Sequence, residues 1–189
     1  MRPNILNKFS QHLKRTLDTA SRFSLEIGSA SIEPIFLLYG LAESKGGVAY
    51  EILRKSGIQS EQLKTFIELR FKKPASRQER LTIDNLTFSL GAKKALERAV
   101  LTANQFKHKY VGTEHLMSAL FELGDPVVAE FFTEANFHLG EAKRQLVAVL
   151  KSTSKFPELT NFFDAQTGEP MGQVHGEGVS DHEHTGATA

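Results

Sequence analysis

Residues 88–123 read FSLGAKKALERAVLTANQFKHKYVGTEHLMSALFEL, and the same order of apolar positions stands 79 residues earlier in the chain with no gap between the two registers. Phe9-Ser10 falls on Phe88-Ser89, and Leu13, Leu17, Ala20 and Ile27 fall on Ala92, Leu96, Ala99 and Phe106. The steps of four, three and seven residues put these positions on one face of a helix with 3.6 residues per turn. The match runs on through Leu37, Leu38 and Leu41 onto Leu116, Met117 and Leu120, and through Val48 and Ile52 onto Val127 and Phe131. It ends with Leu63 and Ile67 on Ala142 and Leu146. A fixed internal period is the signature of a repeat architecture. The reading is therefore all-α: an eight-helix bundle made of two four-helix tandem repeats, residues 9–67 and 88–146, related by pseudo-twofold symmetry. Ser10, Ser89 and Thr113 can cap helix starts with a side-chain oxygen, Pro34 suits a first helical turn, and Gly57 can end a helix. No segment alternates long enough to predict a strand.

The chain has 189 residues, which accommodates one double-repeat domain, residues 1–151, and a tail, residues 152–189. The second repeat extends to about residue 150. Residues 68–87 carry Arg70, Lys72, Lys73, Pro74, Arg77 and Arg80 and read as a solvated linker between the repeats. The tail, ending GEPMGQVHGEGVSDHEHTGATA, has no apolar periodicity and is expected to be disordered.

Composition narrows the function classes. Lys plus Arg total 23 against 22 for Asp plus Glu, a net charge of +1, so no chain-wide field draws the protein to nucleic acid or to an anionic membrane. There is no cysteine, which excludes disulfides, thiolate nucleophiles and cysteine-ligated metal. The apolar stretch from Pro34 to Ala42 is too short to span a bilayer, and the amino terminus carries no secretory pattern, so a cytoplasmic protein is expected. The phosphate-cradling sequence G-x-x-x-x-G-K-[ST] is missing, and no catalytic constellation can be nominated from spacing, so no enzyme activity and no cofactor are expected. His175, Asp181, His182, Glu183 and His184 carry metal-ligating groups, but ordering a glycine-rich segment around an ion costs entropy, and no metal site is assigned.

The run Tyr110-Val111-Gly112-Thr113-Glu114-His115-Leu116, followed by MSALFE, resembles the signature of the Clp amino-terminal repeat, and FSLGAKKALERAVLTA is similar to the helix that precedes it in that family. KFSQHLKRTLDTA, SIEPIFLLYGLAES and GGVAYEILRKSGI are similar to the family's first repeat in the same order. The resemblance covers roughly residues 5–150. Residues 156–162, FPELTNF, faintly resemble the family's linker into its first ATPase module.

The resemblance implies a recognition domain of ClpC/ClpA-type AAA+ unfoldases, which collects protein substrates or adaptor proteins for unfolding and degradation. The alternative it leaves open is a free-standing accessory subunit that stabilises or regulates the Clp proteolytic core. It also implies a phosphoarginine-type ligand at Glu114 with Ser89 and Thr113, a carboxylate suiting a guanidinium and a hydroxyl a phosphate. In the first repeat Ser10 keeps the hydroxyl, but Pro34 and Ile35 stand where threonine and the acid belong, and Glu33 lies two residues away. The alternative for Thr113 and Glu114 is a helix cap and a first-turn charge. His115 is expected to be packed or hydrogen-bonded rather than catalytic, and Phe131, Phe132 and Phe137 to line core and groove.

Overall fold

A computed structural model describes residues 5–71 and 87–155. After a 3-10 turn, Ile5–Lys8, the first copy comprises α1 (Gln11–Glu26), the short strand β1 (Ser31–Ile32), α2 (Pro34–Glu43), α3 (Val48–Lys55) and α4 (Ser60–Phe71). The second comprises β2 (Thr87–Phe88), α5 (Leu90–Gln105), α6 (Thr113–Leu123), α7 (Pro126–Glu134) and α8 (Leu139–Lys155). The starts of α1, α2 and α4 recur 79 residues on in α5, α6 and α8. Most of the linker, residues 72–86, and nearly all of the expected tail, residues 156–189, lie outside the described residues. Two edges differ from the sequence reading. α4 continues to Phe71, where Arg70 lies over the Phe66 ring and pairs with Glu130 and Glu134 of α7. α8 continues to Lys155, beyond the residue at which the tail was expected to begin.

The helix starts repeat as closely as the helices. Ser10 accepts a hydrogen bond from Leu13 N at 3.2 Å, and Ser89 one from Ala92 N at 3.2 Å. Thr113 departs from expectation: Gly112 holds the cap position of α6, and the Thr113 hydroxyl accepts instead from Ala49 N at 3.3 Å, joining the two copies. Helix ends repeat too. Gly28, with φ +73°, follows α1 in the left-handed region, and its counterpart after α5 is Lys107, with φ +59°. Left-handed backbone costs a residue with a Cβ roughly 1 kcal/mol, which glycine avoids. Lys107→Gly is therefore expected to raise the unfolding free energy by about 1 kcal/mol, read as a higher urea midpoint at unchanged slope.

α2 and α6 form the centre. Both are buried almost all round, α2 through Pro34, Ile35, Phe36, Leu37, Leu38, Gly40, Leu41 and Ala42, and α6 through residues 113–117 and 119–121. That burial explains why the Pro34–Ala42 stretch is apolar on every face, as a core helix must be. Among the described residues no helix is long and apolar enough to cross a membrane.

The two copies are stitched by an exchange of short strands. Ile32 pairs in parallel with Phe88, and Phe9 pairs in parallel with Val111. Ser89 N donates to Ile32 O at 3.0 Å, and Ser10 N donates to Val111 O at 3.0 Å. These two links are the same contact made twice, once in each direction, and they express the pseudo-twofold relation at backbone level. The opening helix of each copy thus begins against the strand that precedes the central helix of the other.

Candidate functional site

The exchange decides which candidate residues meet. Ser89 sits at the first-copy end, beside Ile32 and Pro34. There a Cβ added to Gly91 would lie 3.0 Å from Pro34 Cγ. Thr113 and Glu114 sit at the other end, next to Val111 and hence next to Ser10 and the start of α1. Glu114 and His12 are near enough there to influence one another electrostatically. The chain therefore groups Ser10, Thr113 and Glu114 at one seam and leaves Ser89 at the other.

The seam around Ser89 is apolar in its depth. Ile35 is fully buried, and Glu33 accepts a hydrogen bond from Ser31 Oγ at 2.6 Å, which turns its carboxylate toward its own loop. The Glu114 seam is polar in its depth. Ser10, His12, Thr113, Glu114 and His115 are all buried, and Glu114 is 5% exposed. Its carboxyl lies over the Gly112 backbone, where a Cβ would stand 2.4 Å from both oxygens, so residue 112 must be glycine for the carboxyl to sit there.

Hydrogen bonds fix the imidazole tautomers. Gly112 N donates to His115 Nδ1 at 2.8 Å, one half of a capping box with histidine at the third helical position. The proton of neutral His115 is then on Nε2, where it is donated to His108 Nδ1 at 2.6 Å. His108 in turn donates from Nε2 to Leu150 O at 3.2 Å, tying the loop before α6 to the far end of α8. With its lone pair engaged by Gly112, His115 Nδ1 offers Glu114 no proton. The 3.1 Å approach of Glu114 Oε1 is therefore a contact of two acceptors rather than an ion pair.

Burial dominates the protonation equilibria. It lowers His115 to about 4, against the Gly112 hydrogen bond, which works the other way. It also lowers His108, reinforced by the neighbouring His115 and opposed by Glu114 and Leu150. Burial raises the Glu114 carboxyl, opposed by its own backbone N–H and by His108 and His12. The signs give opposite pH dependences. The unfolded chain takes up protons on His108 and His115 near the ordinary histidine value of 6.5 and the folded chain only lower, so stability falls as pH drops from 6.5 toward 4. The unfolded chain releases the Glu114 proton near 4.5 and the folded chain later, so that group's contribution is lost as pH rises above 4.5. Urea melts of wild type and Glu114→Gln at intervals from pH 4 to 7 are expected to show the histidine loss on acidification in both, and to show it more steeply in the variant.

His108, Glu114 and His115 bring metal-ligating atoms within 4.8 Å of one another. The two histidine nitrogens that face each other are 2.6 Å apart. Ligands of a tetrahedral zinc, with bonds of roughly 2.0–2.1 Å, stand about 3.3 Å apart. The trio's geometry is that of a hydrogen-bonded chain. Neither His12 nor His108 was singled out from sequence. His12 aligns with Gly91 in the repeat, and the contact of His108 with α8 is tertiary.

Comparison with known proteins places the fold in a family. The profile of the Clp repeat (R) N-terminal domain matches residues 8–135. The negative regulator of genetic competence ClpC/MecB of Bacillus subtilis is 25% identical over 148 residues, covering 78% of this chain and 18% of that protein. The ATP-dependent Clp protease ATP-binding subunit ClpC of Staphylococcus saprophyticus is 26% identical over 157 residues, covering 83% and 18%. This chain therefore spans about a fifth of the length of these curated relatives. The N-terminal domain of the caseinolytic protease associated chaperone ClpD from Arabidopsis thaliana superposes with a TM-score of 0.66 at 16% identity, over 80% of this chain and 99% of that one. The Hsp104 N-terminal domain from Candida albicans has a TM-score of 0.61 at 17% identity, over 75% and 91%. With a profile match across more than half its length and the same helical fold, the chain belongs to the Clp repeat N-terminal domain family.

Proposed function

We propose that this domain is a non-catalytic recognition module that delivers protein substrates or adaptor proteins to a Clp-type AAA+ unfoldase/protease. Membership of the family supports this role, as do relatives named as ATP-binding subunits of a Clp protease. The ligand is an arginine- or phosphoarginine-bearing segment, bound at the seam of Ser10, Thr113 and Glu114. One observation carries that choice. Glu114 is a buried acid whose ionisation is disfavoured by burial, and burial holds the His108 and His115 imidazoles beside it toward their neutral forms. A carboxyl so placed gains most from a cation supplied from outside, and a guanidinium matches it with two parallel hydrogen bonds. Costly buried ionisable groups of this kind cluster at functional sites. The Ser89 seam presents Pro34 and Ile35 in place of the hydroxyl and the acid, so the two copies are unequal binders.

Calorimetric titration with a peptide bearing one phosphoarginine, and with its unmodified arginine and alanine twins, tests this reading. The expected result is one site that binds the phosphoarginyl peptide, is competed by free phosphoarginine and ignores the alanine twin. Equal binding of all three peptides would show that the domain reads another feature of its partners.

A further inference from the structure

We propose that the exposed face of α5 pairs with the same face of a second copy of this chain, the two helices running antiparallel about a twofold axis at the middle of that face.

Leu90, Lys94, Glu97 and Leu101 follow one another along α5 at steps of four, three and four residues, the spacing of a seam along which helices pack. All four are exposed, and Leu90 at 69% and Leu101 at 58% are among the most exposed large apolar residues described. The order apolar, basic, acidic, apolar is centred between Ala95 and Leu96. A twofold interface requires that whenever one residue meets a second, the second also meets the first. Laid antiparallel about that centre, each Leu90 meets the partner's Leu101, and each Lys94 meets the partner's Glu97. A parallel pair would set Lys94 on Lys94 and Glu97 on Glu97. An antiparallel pair slipped by one turn would set a charge against its own kind or against a leucine. The pattern therefore specifies one orientation and one register.

The first copy shows that the fold does not need these leucines. In the 79-residue register Leu90, Lys94, Glu97 and Leu101 fall on Gln11, Arg15, Asp18 and Arg22 of α1, all exposed. The signs of the two central charges are kept, and the leucines are not. Arg22 closes a 3.0 Å ion pair with Asp18 inside α1. Leu101 stands in that place in α5, and among the described residues neither Glu97 nor Lys94 makes an ion pair. A single exposed leucine is ordinary surface, but two that bracket a charge pattern complementary to itself mark a contact. From Leu90 to Leu101 the helix rises about 16 Å at 1.5 Å per residue, a shorter contact than a standard interface, so the pairing is weak and depends on concentration. None of the four residues belongs to the Glu114 seam, and the inference is independent of what binds there.

Sedimentation velocity on the full 189-residue chain, from about 10 μM to about 1 mM, tests the pairing. The weight-average mass is expected to rise across the series toward that of two chains. Lys94→Glu and Glu97→Lys each set like charges across the axis and are expected to stay monomeric. An equimolar mixture of the two variants restores both complementary pairs and is expected to associate as wild type does. Leu90→Gln/Leu101→Arg, which installs the residues that stand at these places in the first copy, is expected to lose association with its helical circular dichroism unchanged. A wild type that stays monomeric throughout would overturn the proposal. So would association that survives Leu90→Gln/Leu101→Arg, or a mixture of the charge variants no heavier than its components.

Discussion

Glu114→Gln is expected to lower the affinity for a phosphoarginyl peptide by about 100-fold or more while raising the stability of the free domain at pH 7. The amide keeps the shape of the side chain that lies over Gly112. It removes the charge that would pair with a guanidinium, and a charge-assisted bidentate pair is worth at least ~3 kcal/mol when it is taken from a partly desolvated site. It also removes the cost of ionising a buried carboxyl, the direction of which is set by burial ahead of the attraction of its own N–H, His108 and His12. Loss of binding together with a gain in stability is the pattern of a residue kept for function at the expense of the fold. Titration calorimetry and a urea melt on the same protein check the two halves. A variant that binds normally would remove Glu114 from the site. A variant that is less stable at pH 7 would mean that the carboxylate is well solvated by its neighbours and that burial does not penalise its charge.

Gly40→Ala is expected to cost roughly 3 kcal/mol, with the domain still helical but its unfolding midpoint sharply lower. Gly40 lies where α2 crosses α1, and a Cβ there would stand 2.4 Å from Thr16 O and 3.1 Å from Thr16 C. These are backbone atoms of a packed helix, so relief requires α1 and α2 to move apart. The second copy uses alanine at both equivalent positions, Ala95 and Ala119, and buries both completely. The copies thus solve one helix crossing in two ways. Ala119→Gly is expected to cost only about 1 kcal/mol in helix propensity, with a small further loss for the vacated methyl. Denaturant melts of the two single variants side by side make the comparison, and equal losses would show that the α1–α2 crossing is no tighter than its counterpart.

The helices were legible because the code for them is local and doubled. Leu13, Leu17 and Ala20 recur as Ala92, Leu96 and Ala99 at helical spacing, and Ser10 and Ser89 stand one residue before the helices they cap. The strands were not legible, since β1 and β2 are two residues each and two residues cannot display an alternation. That omission reached the site. Grouping Ser89 with Thr113 and Glu114 assumes that each copy closes its own pocket. The pairing of Ile32 with Phe88 and of Phe9 with Val111 instead sets each opening helix against the other copy. The burial of Glu114 was equally out of reach, because an acid at the second position of a helix ordinarily reads as an exposed charge opposite the helix dipole. What the motif did contain was Gly112, whose missing side chain is the space the carboxyl occupies.

Amide resonances followed through a titration of wild type with phosphoarginine distinguish one recognition seam from two. Binding at the Glu114 seam alone gives saturable shifts at Ser10, His12 and residues 111–115, with Ile32, Ile35 and Ser89 unmoved at the same ligand concentration. Equal shifts at the two seams, or shifts confined to residues away from both, would contradict it.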